Sequence, residues 1–183
     1  MKAMQMVVIA VAIPSLASAQ SAMPAPPPAQ SAPAGMACAD ARHRAFDFWI
    51  GKWEVRANGQ NKVVARSVVE GLYNGCAIRE NWMPISTTGG GGSLSVYDVA
   101  TGGWRQTWVD SSGTRVDFAG DYANDAMVLT GNWRGINGPG KDGVVRMTYT
   151  RQPGGKVRQF GEVTTDGGKS WTVSFDFIYS PTA

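Results

Sequence analysis

Short runs in which apolar and polar side chains alternate follow one another from residue 53 onward. Alternation with a period of two is typical of β-strands that bury one face, and the glycine-, asparagine- and aspartate-rich breaks between the runs are typical of hairpin turns. No stretch has the 3.6-residue periodicity of a helix of three turns. The pattern predicts about ten strands, at residues 53–57, 62–70, 76–83, 92–98, 103–110, 114–121, 126–133, 144–151, 156–164 and 170–179.

Hairpins that follow one another without a crossover helix predict an antiparallel meander. Closing such a meander removes its exposed edges, so the expected fold class is all-β, a single antiparallel up-and-down β-barrel. Two connections, 84–91 and 135–143, are longer and richer in glycine than the others. They are either portal loops over a cavity mouth or tolerated insertions.

An aromatic stretch, Phe46 to Trp53, leads into the first predicted strand and ends on that strand's first residue. One short helical turn here would place its rings across an open end of the barrel. Gly51 would let the backbone bend closely, and Trp53 would enter the core. We therefore expect this stretch to be the plug on which the fold is organised.

The N-terminal part of the chain has the composition of a leader and a tether. Residues 1–19 combine Lys2, an apolar run and a small-x-small ending, which predicts a signal peptide. The apolar run is shorter than the roughly 20 residues of a membrane span, so we expect no stable membrane insertion. Residues 20–37, rich in proline and alanine, predict a disordered tether. The barrel domain is then 38–183, and the expected location is the periplasm or the cell exterior.

Charge and cysteine content narrow the functional classes. The formal net charge is only +3 and the arginines are scattered along the strands, which argues against nucleic-acid binding. In an oxidising compartment the two cysteines, Cys38 and Cys76, are expected to form a disulfide; the alternative is two buried thiols. The only histidine, His43, has no partner at ligand spacing, so we expect a solvated surface residue, no metal site and no cofactor.

One predicted strand mixes rings and polar groups on the same face. Alternation along 104–110 places Trp104, Gln106, Trp108 and Asp110 together. Such a mixture is typical of a ligand cavity, whereas a solid core favours aliphatic side chains. We therefore expect a hollow barrel with Trp108 facing the lumen. The candidate ligand-binding residues are Trp82, Trp104, Gln106, Trp108, Arg158 and Glu162.

The sequence is compatible with three functions. The first is a barrel that binds a small, partly apolar ligand in its lumen. The second is an enzyme on the same barrel that uses Glu80, Asp110 or Glu162 as an acid or base. The third is a cell-envelope interaction module with a solid barrel. Independently of these functions, the charged strand residues are alternatively cross-strand ion pairs on the outer face: Arg79, Arg105, Arg158, Glu80 and Glu162.

Four segments resemble a family of secreted bacterial proteins of unknown function: FDFWIGKW at 46–53, GCAIRE at 75–80, WRQTWVD at 104–110 and DGGKSW at 166–171. More distantly, Gly51-x-Trp53 at the start of a small barrel is similar to the lipocalins and their calycin relatives. That resemblance implies a barrel that holds a ligand. Lipocalins cover this tryptophan with a late arginine, for which the predicted last strand has no counterpart.

Overall fold

Ten antiparallel strands make up most of the part of the protein that a computed structural model describes, residues 37–182. The strands form a closed barrel in which each pairs with its neighbour in sequence and the last pairs with the first. This confirms the predicted fold class. The predicted signal peptide and all but the last residue of the predicted tether lie outside the described residues.

The observed strands match the predicted ones to within about two residues at each end. They are β1 Gly51–Ala57, β2 Val63–Leu72, β3 Ala77–Pro84, β4 Gly91–Asp98, β5 Gly103–Asp110, β6 Arg115–Ala123, β7 Ala126–Trp133, β8 Gly143–Gln152, β9 Lys156–Thr164 and β10 Thr172–Pro181. Three short 3₁₀ turns accompany them, at Asp47–Trp49, Tyr73–Gly75 and Pro153–Gly155.

The meander gives the barrel two different ends. Because successive strands alternate in direction, the connections after β2, β4, β6 and β8 fall at one end, here called the closed end. The connections after β1, β3, β5, β7 and β9 fall at the other end, here called the open end. Both long glycine-rich loops, 84–91 and 135–143, therefore lie at the open end.

The aromatic stretch before β1 plugs the closed end, as predicted. Phe46, directly before the first 3₁₀ turn, and Trp49, the last residue of that turn, are completely buried. The ring of Phe46 stacks on that of Trp49 with centroids 5.0 Å apart. Both rings also pack against Tyr149 from β8, at 5.0 and 4.9 Å. The plug and the strands thus share one aromatic core.

Trp53 connects the plug to the barrel wall. Its side chain is only 5% exposed, and its indole N–H donates a hydrogen bond to the carbonyl oxygen of Trp49 at 3.0 Å. A Cβ atom at Gly51 would lie 3.0 Å from the Trp53 ring, so the ring packs directly on the glycine backbone. The predicted roles of Gly51 and Trp53 are confirmed.

The predicted disulfide between Cys38 and Cys76 is present. It joins the segment before the plug to the residue that precedes β3, at the closed end. A covalent link therefore holds the plug segment to the barrel wall.

The prediction that His43 is a solvated surface residue is wrong. His43 is 8% exposed, and its ring packs edge-on against Tyr97 with centroids 5.0 Å apart. Its Nδ1 atom lies 2.7 Å from the Asp40 carboxylate. The prediction failed because the flanking Arg42 and Arg44 are exposed, as a turn allows, while the residue between them points inward.

Candidate ligand-binding cavity

The barrel is hollow towards its open end, where a cavity of about 270 Å³ reaches into the lumen. Six side chains nearer the mouth are aromatic: Trp82, Trp108, Phe118, Trp133, Phe175 and Phe177. The other lining residues bring most of the polar atoms: Glu80, Gln106, Met147, Tyr149, Gln159 and Tyr179. The cavity is thus an aromatic funnel with a partly polar floor.

Two glycines create room for rings at the mouth. A Cβ atom at Gly91 on β4 would collide with the ring of Trp108, and one at Gly161 on β9 would collide with the ring of Phe175. Both rings therefore occupy space that a side chain at these two positions would fill.

The floor of the cavity holds a hydrogen-bonded polar network. Ser67 donates to Glu80 Oε1 at 2.8 Å, and the Tyr179 hydroxyl lies 3.2 Å from the same oxygen. The Tyr179 hydroxyl is also 2.8 Å from Gln159 Oε1, and Gln159 Nε2 donates to the Tyr149 hydroxyl at 2.8 Å. The hydrogen-bonded residues from Ser67 to Gln159 lie on four strands, β2, β3, β10 and β9.

The network has too few hydrogens for an ionised Glu80. Tyr179 carries a single hydroxyl hydrogen, and the amide oxygen of Gln159, which only accepts, takes it at the shorter distance. The contact between Tyr179 and Glu80 is then a hydrogen bond only if the carboxyl group of Glu80 supplies the proton. The count of hydrogens within the protein's own network therefore favours neutral Glu80.

Burial acts on the pKa of Glu80 in the same direction. The side chain is 5% exposed, and removal from water raises its pKa from 4.5 to about 7, although the hydrogen bond from Ser67 opposes the shift. Burial also holds the pKa values of Tyr149 and Tyr179 well above the usual phenol value, so both stay protonated. Near neutral pH, Glu80 is thus the group of this network that changes charge.

This raised pKa predicts a pH-dependent stability. The folded state prefers protonated Glu80, so its contribution is complete below pH 4.5 and is lost as the pH rises to about 7. Between pH 4.5 and pH 8, we expect the wild type to lose about 2 to 3 kcal/mol more unfolding free energy than Glu80→Gln. Urea denaturation across this range measures the difference.

Glu162→Gln is the matched control, because Glu162 lies on the outer face and pairs with Arg146 at 2.9 Å. It should keep the wild-type difference between pH 4.5 and pH 8. Parallel pH profiles for the wild type and Glu80→Gln would contradict the account of Glu80.

Three of the six predicted ligand-binding residues line the cavity: Trp82, Gln106 and Trp108. Trp104 faces inward as predicted, but it lies at the closed end, where its ring meets that of Phe46 with centroids 5.7 Å apart. The prediction that Trp104 lines the cavity is therefore wrong, and Trp104 belongs to the packed core beneath the plug.

Arg158 and Glu162 do not reach the lumen, which corrects their predicted position. Both point to the outer face of β9, where Arg158 pairs with Asp176 at 2.8 Å and Glu162 pairs with Arg146. The inward positions of β9 are Val157, Gln159, Gly161 and Val163. The outer-face ion pairs considered as the alternative are confirmed for Arg158 and Glu162, whereas that alternative is wrong for Glu80, which is buried and lines the cavity.

The structure also separates the carboxyl groups considered for catalysis. Asp110, at the end of β5, accepts hydrogen bonds from the Ser112 and Thr114 backbone and from the Trp108 indole. These contacts give it a role in the turn. Glu162 lies outside the barrel, whereas Glu80 lines the cavity.

Sequence reasoning missed eight cavity residues: Phe118, Trp133, Met147, Tyr149, Gln159, Phe175, Phe177 and Tyr179. The inward parity of β10, with Phe175, Phe177 and Tyr179 two residues apart, was an available signal. The inward position of Gln159 could be recognised only once it was known which face of β9 points into the barrel.

The loop 164–171 at the open end has the local structure typical of its Asp-Gly-Gly motif. Asp166 accepts hydrogen bonds from the backbone N–H and the hydroxyl of Ser170, which hold its pKa far below the usual value. Gly167 and Gly168 take positive φ values of 74° and 89°. Trp171 lies against the Arg146 guanidinium group, 4.1 Å from its ring centroid, so this motif is structural.

Comparison of the chain with models of protein families gives no match, and comparison with curated proteins gives none either. The resemblance to a secreted bacterial family and to calycins therefore stays a prediction. No helix within residues 37–182 is both long and apolar enough to cross a membrane. The same residues place no group of three or more His, Cys, Asp or Glu side chains where it could hold a metal ion.

Proposed function

We propose that the protein is a periplasmic or secreted, lipocalin-like barrel that binds a small, mainly apolar molecule in its lumen. The observation that carries the proposal is the aromatic funnel above a buried polar floor. Ligand sites combine these two features, since rings supply affinity and a few fixed polar groups orient the ligand. The predicted signal peptide and the disulfide support the location, because disulfides persist in oxidising compartments.

The volume of the cavity limits the size of the ligand. An engineered apolar cavity of about 150 Å³ holds one benzene molecule in another protein. The lumen, at about 270 Å³, is less than twice that size. A two-ring body with one polar substituent fits this volume.

A calorimetric titration tests this proposal with 1-naphthylmethanol, a neutral two-ring alcohol. We expect saturable binding at one site per chain with a dissociation constant in the micromolar range, equivalent to about 8 kcal/mol. Trp108→Leu should weaken binding about tenfold, because an aromatic contact contributes about 0.5 to 1.5 kcal/mol beyond its buried area.

Val109→Leu is the matched control for Trp108→Leu. It introduces the same residue one position along β5, on the exposed outer face. It should bind the alcohol as the wild type does. Equal affinities for the two variants, or no saturable heat with the wild type, would overturn the proposal and favour the interaction module.

One observation favours a second candidate, an enzyme that uses Glu80. Its pKa of about 7 suits a general acid or base near neutral pH, and its side chain lines the cavity. Mass spectrometry of ligands recovered after incubation separates the candidates. Unaltered ligand supports the binding protein, and a product that disappears in Glu80→Gln supports the enzyme.

A further inference from the structure

The floor of the lumen carries a hydrogen-bond acceptor, Glu80 Oε2, that the protein's described residues leave without a donor. Within residues 37–182, Glu80 Oε2 makes no hydrogen bond, because Ser67 and Tyr179 both contact Oε1. Gln106 is already engaged, because its Nε2 donates to Ser95 at 2.9 Å and its side chain contacts the Tyr149 hydroxyl. Glu80 is only 5% exposed. A ligand that satisfies Glu80 Oε2 must bring a hydrogen-bond donor.

The lumen also lacks a positive charge to balance Glu80. Among the described residues, no lysine, arginine or histidine lines the cavity. Arg146 and Arg158 lie on the outer face instead, where they pair with Glu162 and Asp176, respectively. A buried carboxylate without a counter-charge is costly, so a cation that enters the lumen would gain a full ion pair.

The mouth of the lumen suits the approach of a cation. Rings of Trp82, Trp108, Trp133, Phe175 and Phe177 surround it. The faces of aromatic rings attract cations, by about 2 kcal/mol or more where water is excluded. The same rings also accommodate an apolar body.

We propose that the ligand is an amine, whose protonated nitrogen binds Glu80 Oε2 and whose two-ring apolar body lies among the mouth aromatics. This inference rests on the proposed function, since it names the ligand class of the same cavity. Ligands with a carboxylate head group are excluded by the same chemistry, because the floor offers an anion no basic side chain.

The proposal carries a pH dependence that belongs to Glu80. The other titratable groups that face Glu80 are the phenols of Tyr149 from β8 and Tyr179 from β10, which burial keeps protonated. Ser67, Gln106 and Gln159 do not titrate. Because the pKa of Glu80 is about 7, amine affinity should fall about tenfold between pH 8 and pH 6.

Calorimetry with three ligands of one shape tests the proposal in the wild type. They are 1-naphthylmethylamine, a cation at pH 8, the neutral 1-naphthylmethanol and the anion 1-naphthoate. We expect the amine to bind at least tenfold more tightly than the alcohol at pH 8, since charge-assisted hydrogen bonds are the stronger ones. The naphthoate should bind more weakly than the alcohol. Only the amine should lose affinity towards pH 6.

Two variants assign the effect to Glu80. Glu80→Gln should remove the preference for the amine over the alcohol, together with its pH dependence. Glu162→Gln removes the same charge from the outer face and should keep both. If Glu80→Gln does not fold, the comparison of the three ligands in the wild type at pH 8 and pH 6 still decides the proposal.

The outcomes separate this inference from the proposed function. An alcohol or naphthoate that binds the wild type as tightly as the amine at pH 8 overturns the amine proposal and leaves the binding function standing. An amine preference that survives in Glu80→Gln also overturns it. If none of the three ligands binds, both proposals fail.

Discussion

Replacing Trp53 with alanine is expected to lower the free energy of unfolding by about 3 to 5 kcal/mol, the usual cost of removing a large aromatic side chain from a core. The Trp53 ring packs edge-on against Tyr179 with centroids 6.1 Å apart, and its N–H holds the Trp49 carbonyl. Its loss leaves a void beneath the plug and a carbonyl without its donor. The free energy of unfolding of a domain is about 5 to 15 kcal/mol in total, so the variant would be only marginally stable.

Urea denaturation of Trp53→Ala beside Trp171→Ala measures this effect. Trp171 is the matched control, since its ring lies on the outside against Arg146. Its removal should cost no more than about 1 kcal/mol. A denaturation midpoint for Trp53→Ala as high as that of Trp171→Ala would show that the fold is not organised on Trp53.

Removing the disulfide is expected to cost about 3 to 4 kcal/mol of unfolding free energy. The two cysteines are 38 residues apart, and on the chain-entropy model a cross-link over that distance restricts the unfolded chain by this amount. The bond also holds the plug segment to the wall, so the double variant Cys38→Ser, Cys76→Ser should open the closed end more readily.

Denaturation with and without a thiol reductant measures the contribution of the disulfide. The wild type should lose the 3 to 4 kcal/mol on reduction, as the chain-entropy model gives, and the double serine variant should not respond. An intact mass that shifts on alkylation without prior reduction would contradict the disulfide itself.

The strands could be predicted from sequence because two local signals agree in nearly every one. On β5, exposed Arg105 and Val109 alternate with inward Trp104, Gln106 and Trp108, so the inward face was predicted correctly. Turn residues with positive φ, such as Gly59 and Gly113, then set the hairpin ends. Ten antiparallel strands in series have two exposed edges, and closing the barrel removes both.

The site could be predicted only in part. Which face of a strand points inward, and which residues of distant strands it meets, depend on the closed barrel and not on the local sequence. On β9 the inward positions include Gln159 and Gly161 while Phe160 lies on the outer face, so polarity did not indicate which side is buried. Alternation along β9 turns Gly161 inward, and a glycine fits there because the Phe175 ring occupies the space that a side chain would fill. Glu80 meets Tyr179 across 99 residues, a contact that only the closed barrel creates.

The most direct test of a ligand site in the lumen is the anomalous scattering of bromine in crystals soaked with (4-bromonaphthalen-1-yl)methanol. A bromine peak inside the barrel, between the rings of Trp108 and Phe177, is the expected result. A bromine peak only on the outer surface, or a lumen filled by side chains in the same crystals, would contradict the account.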